Sequence, residues 1–129
     1  MSLLSSLHVS DHLAMGEALA PLRSRGVLIV GSGFATHASS SSNEPPPKWV
    51  PEFRNWLHDV ITSDKYTTTE RKRKFLACET EAPYIKRAHP SLEHFLPLLM
   101  CSAAGGYKKG RLLYSEVAME TLLNEHYIF

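Results

Sequence analysis

Seven histidines stand in a chain of 129 residues. Histidine binds transition metals as a neutral imidazole and shuttles protons near neutral pH. Two stretches set histidines where such chemistry is expected. In GVLIVGSGFATHA, residues 26–38, an apolar run ends in Gly31, Ser32 and Gly33, and His37 follows. In AHPSLEHFLPLL, residues 88–99, His89 precedes a helical pattern and His94 lies inside it.

The first stretch admits three readings. A dinucleotide fingerprint after a strand needs a third glycine where this chain has Thr36, and a helix where it has a serine run. A nucleophile elbow needs glycines two residues either side of its serine; around Ser32 those positions hold Val30 and Phe34. The remaining reading is a strand end. Ligands of open α/β sheets bind beyond the carboxyl ends of strands, and the glycines would let the backbone turn there. His37, Ser32 and Gly33 would then face a metal or substrate. The alternative is a loop histidine that satisfies backbone groups. In the second stretch, Ser91 as a helix cap would place His94 near a helix N-terminus, where an imidazole can serve as a general base. The alternative is a core histidine among Leu92, Phe95 and Leu96.

The elements that must position these residues follow from periodicity. Residues 11–23 predict a helix with Leu13, Ala14, Ala18, Leu19 and Leu22 on its apolar face, Ser10 as cap and Pro21 in its last turn. Residues 27–30 are consecutive apolar positions, the mark of a strand covered on both faces. Residues 39–47, SSSSNEPPP, form a flexible low-complexity loop. Residues 51–62 predict a helix presenting Phe53, Trp56, Leu57, Val60 and Ile61, with Pro51 in its first turn. Thr67 and Glu70 make a capping box for a third helix bearing Arg71, Lys72, Arg73 and Lys74, a basic run read as a solvated face. A fourth helix covers 90–101, and short strands cover 112–114 and 127–129. The fold class is therefore α/β in one domain.

The bulk numbers exclude several classes. A net charge of +1 supports neither a nucleic acid nor an anionic membrane as partner. Binding of RNA through residues 71–74 is the weakest reading, since no aromatic or glycine pattern accompanies them. No run approaches the ~20 apolar residues of a membrane span, and residues 1–7 do not make a signal peptide. The two cysteines, Cys78 and Cys101, form no framework, which indicates free thiols in a reducing, cytoplasmic setting.

Taken together, GEALAPLRSRGVLIVGSGFATH, FRNWL, AHPSLEHFLPLL and AAG resemble the class III extradiol ring-cleavage dioxygenases, on the 4,5-DOPA dioxygenase branch. The resemblance runs along nearly the whole chain and covers the C-terminal half of that fold. It implies a partial mixed sheet flanked by helices, and a non-haem Fe(II) or Zn(II) ion at the sheet edge. It also implies O₂-dependent cleavage of a catechol such as DOPA. By resemblance His37 is a metal ligand, His94 the active-site acid/base, and His89 lines the substrate pocket. The family draws two further ligand histidines from its N-terminal half. His8 and His12 match other positions and are read as surface or cap histidines. Ala38 stands where the family often has asparagine. One ligand does not hold iron in a site needing about three, so the chain alone is expected to be inactive. The expected partners are a catechol and O₂, with a homo-oligomer or a separate N-terminal half completing the fold. The alternative is a non-catalytic pairing protein derived from it.

Overall fold

The computed structural model describes residues 1–38 and 47–129. Helix α1 spans Val9–Arg23, α2 Trp49–Thr62, α3 Thr68–Leu76, α4 Cys78–Glu81 and α5 Ile85–Ala88. A 3-10 turn, Leu92–His94, leads into α6, Leu96–Ala104. Strands β1, Arg111–Ala118, and β2, Leu122–Ile128, form an antiparallel hairpin. The architecture is α/β, helices packed with a sheet, and the sheet of the described residues is this two-stranded hairpin. The serine- and proline-rich loop expected at 39–47 lies, except for Pro47, outside the described residues.

Helix α2 forms where its spacing predicts. Phe53, Leu57, Val60 and Ile61 are fully buried against Phe75, Phe95, Leu99 and Leu123, and these side chains make the core. The capping box is present: the Thr67 hydroxyl accepts from Glu70 N–H at 3.2 Å, and Glu70 Oε2 accepts from Thr67 N–H at 2.8 Å.

Several expectations are corrected. Helix α1 starts at Val9 with His8 at its N-cap, so Ser10 lies inside the helix. Its buried face is Val9, His12, Leu13 and Gly16, while Ala14 and Ala18 are exposed. The face is rotated because Gly16 lets α1 approach the Met100 carbonyl of α6. A Cβ there would sit 2.7 Å from Ala103 Cβ. His12, read as a surface or cap residue, is buried. Its Nδ1–H donates to His8 O at 2.7 Å and its Nε2 accepts from Leu4 N–H at 3.1 Å, so both nitrogens are satisfied within its own neighbourhood.

The helix expected over 90–101 divides in two, with Pro97 in the first turn of α6. The hairpin extends well beyond 112–114 and 127–129. Arg71 does not belong to a solvated face: it is buried and donates to Val60 O, Tyr107 O and Ser63 O at 2.7–2.8 Å. The rest of the basic run pairs within the chain, Lys72 with Glu17, and Arg73 and Lys74 with Glu81. No helix among the described residues is long and apolar enough to cross a membrane.

Residues 27–30 belong to no helix and to no ladder among the described residues. Val27, Leu28 and Val30 are 45%, 84% and 77% exposed. Ile29 alone of the run is half-buried. The run is the one predicted strand without a partner strand.

Candidate active site

The passage from residue 31 to 38 lies over the start of α6. Gly31 and Gly33 take no positive φ, so they are not the sharp turn that was expected. They are needed for close approach. A Cβ on Gly31 would lie 2.6 Å from Pro97 O and 2.8 Å from Cys101 Sγ, and one on Gly33 would run into the His94 carbonyl. This contact brings the His37 loop to the 3-10 turn that carries His94.

The two imidazoles then stack, with centroids 3.8 Å apart and ring planes 22° from parallel. Phe34 lies 5.9 Å from His94 on a tilted contact. Glu93, not singled out from the sequence, joins them: its Oε1 is 3.9 Å from His37 Nδ1. The Glu93 Oε2 atom is buried and has no hydrogen-bond partner among the described residues. One ligand atom from each of His37, Glu93 and His94 falls within 4.8 Å of the others. Donors bound to one ion at ~2.1 Å are at most about 4 Å apart, so the set stands slightly wider than metal-binding spacing. The donor types in reach, imidazole nitrogen and carboxylate oxygen, suit a divalent transition metal. The sequence signal for Glu93 was its position next to His94. Because His94 ends a 3-10 turn instead of opening an α-helix, the helix-dipole argument does not apply to it.

His89 is placed differently from the expectation. It is 2% exposed and packs between Phe53 and Phe95, with centroids at 5.7 and 4.8 Å. Its Nε2–H donates to Ala35 O at 2.8 Å and its Nδ1 has no partner. Burial pushes its pKa down to about 4, because water no longer solvates the charged ring. A neutral His89 thus supports the loop from behind, and the wall of the adjoining cavity is made by other residues.

That cavity, about 610 Å³, is bounded by residues 27–35, α6 and the hairpin. Ser32, Gly33 and His94 line it, as does Phe34. Its size falls within the range of small-molecule sites. On the hairpin side sits a carboxylate that sequence patterns did not disclose. The Glu125 side chain is fully buried and accepts from Arg54 Nε and Ser115 Oγ, both at 2.8 Å, and from the Tyr127 hydroxyl. His58 Nε2 is 3.1 Å away. Burial and the Glu125 bond hold the Tyr127 hydroxyl well above the usual phenol range. The Arg54 guanidinium neutralises the buried charge, which makes this cluster a structural anchor for β2.

A histidine pair with an adjoining carboxylate stands beside a cavity of small-molecule size in an α/β frame, the kind of donor set that metal-dependent enzymes use. All 129 residues match the family described as the catalytic LigB subunit of aromatic ring-opening dioxygenases, and the chain belongs to that family. It is 41% identical over 122 residues to the 4,5-DOPA dioxygenase extradiol of Beta vulgaris, covering 89% of this chain and 42% of that protein. It is 38% identical over 119 residues to the protein of the same description from Portulaca grandiflora, covering 88% and 42%. The chain therefore spans less than half the length of these relatives. Its fold also matches a crystal structure of the uncharacterized Escherichia coli K12 protein JW3007, with a TM-score of 0.69 and 24% identity over 91% of this chain and 48% of that one.

Proposed function

We propose that this chain forms part of an extradiol dioxygenase site that opens a catechol ring such as that of DOPA. His37 and Glu93 hold a non-haem Fe(II) or Zn(II) ion, and His94 acts as the acid/base. The single observation that carries the reading is the His37–His94 stack with the unpartnered Glu93 carboxylate beside it. When bound, the ion supplies the Lewis acidity that organises the ring oxygens and O₂. His94, at the cavity wall, accepts a proton from a ring hydroxyl. Ser32 and Gly33 border the space for the ring. His37 and Glu93 provide two donors where such sites use about three, so these 129 residues alone are expected to bind metal weakly and not to turn over.

The test is a Co(II) titration of the chain followed by visible absorption, with a ring-cleavage assay on DOPA under Fe(II) and O₂. His37→Ala and Glu93→Gln are expected to weaken metal uptake at least tenfold, and His94→Ala to leave it nearly unchanged. Uptake indifferent to both His37→Ala and Glu93→Gln refutes the assignment. Ring cleavage by the wild-type chain that is lost in His37→Ala refutes the expected inactivity.

A second reading, a non-catalytic pairing protein, is favoured by the exposed apolar edge at residues 27–30. A metal-free homodimer in solution supports it, and a monomer with stoichiometric metal removes it.

A further inference from the structure

The loop that carries His37 to His94 is hydrogen-bonded from two sides, and several of those bonds come from the hairpin. Thr36, fully buried, donates its hydroxyl proton to Thr121 O at 2.6 Å and accepts from Leu123 N–H at 2.7 Å. The Thr121 hydroxyl donates to Ala38 O at 2.5 Å. Ala35 N–H donates to Leu123 O at 3.0 Å. The residues before and after His37 are thus both tied to residues 121–123. On the other side, His37 N–H donates to Ala88 O at 2.7 Å, and His89 Nε2–H to Ala35 O. No residue of 121–123 offers an atom to the His37, Glu93 and His94 cluster.

We infer that Thr36 and Thr121 are positioning residues that use the hairpin to set the His37 imidazole against His94. A threonine hydroxyl suits the task at position 36 because it both donates and accepts from one atom. It crosslinks the Thr121 carbonyl and the Leu123 amide. With residues 36 and 38 both fixed, the backbone of His37 has little freedom, and its ring direction follows from its rotamer. The link to metal affinity rests on the function proposed above. The link to ring stacking does not.

The experiment uses the full 129-residue chain with Thr36→Val, Thr36→Ser and Thr121→Val. Two quantities are read: the upfield NMR shift of the His37 ring protons caused by stacking on His94, and the apparent Kd for Co(II). Thr36→Val keeps the side-chain shape and removes the hydroxyl. It is expected to lose most of the ring shift and to weaken Co(II) binding about tenfold or more. Thr36→Ser restores both, which a purely steric role would not predict. Thr121→Val moves both in the same direction as Thr36→Val, and it decides the matter if Thr36→Val does not fold. Wild-type ring shifts in a folded Thr36→Val or Thr121→Val chain overturn the inference. If the wild-type chain takes up no Co(II), the metal reading fails, and the ring shifts alone decide the positioning one.

Discussion

Acidification acts on His89 before it acts on the carboxylates, and the size of the effect follows from its burial. The ordinary imidazole value of 6.5 applies in the unfolded chain, and about 4 applies in the fold. Above pH 6.5 the ring is neutral in both states and folding carries no penalty from it. Between pH 6.5 and about 4 the unfolded chain binds a proton that the folded chain refuses, so stability falls with falling pH. At about 1.4 kcal/mol per pH unit the loss approaches about 3 kcal/mol by pH 4. That is a large part of the 5–15 kcal/mol typical of a domain. The partners of the low-lying carboxylates Glu17, Glu70 and Glu81 are lost only at more acid pH, as those groups pass below the usual carboxylate range. The two windows are therefore separable. The assay is urea unfolding from pH 7.5 to 4.5 on the wild type and on His89→Gln, whose side-chain amide can still donate to Ala35 O. The wild type is expected to lose about 2–3 kcal/mol more than the variant across that range. Equal slopes for the two proteins would refute the reasoning, because the proton uptake would then lie elsewhere.

Two further predictions concern packing. Arg71→Met removes three hydrogen bonds, two of them buried, and is expected to cost about 3 kcal/mol at about 1 kcal/mol each. Arg71→Lys should recover little of this, since one ammonium cannot span three carbonyls in the guanidinium's fork, and urea midpoints of both variants check it. Gly16→Ala drives a methyl group into the Met100 carbonyl and Ala103. It is expected to cost about 1–3 kcal/mol by overpacking, seen as a lowered Tm.

What the sequence disclosed depends on whether a residue's role is local. Helix α2 and the Thr67–Glu70 box were legible because the interactions that make them lie within a few residues. His37 and His94 were marked by glycines and prolines around them, and the structure does bring the two rings together. The hairpin was under-read because Met119 and Glu120 both take positive φ in its turn. Neither is the glycine or asparagine that announces such a turn. Arg71 is indistinguishable in pattern from its basic neighbours; the carbonyls of Val60, Ser63 and, far along the chain, Tyr107 hold it in the core. The run at 27–30 was read as a strand covered on both faces, but among the described residues it pairs with no strand and Val27, Leu28 and Val30 are exposed, because an apolar pattern does not specify what covers it. His12 was misread because its polarity was counted and its two hydrogen-bond partners were not.

The ties at Thr36 span 85 and 87 residues of chain. During synthesis the His37 loop leaves the ribosome long before the strand that will hold it. At about 5–20 residues per second the wait is roughly 4–17 seconds. In the last part of that interval, once His94 has been added, His37, Glu93 and His94 are all present in the nascent chain while the loop still lacks its anchor. Closure of the cluster thus waits for translation of β2, and on the function proposed above metal capture follows it.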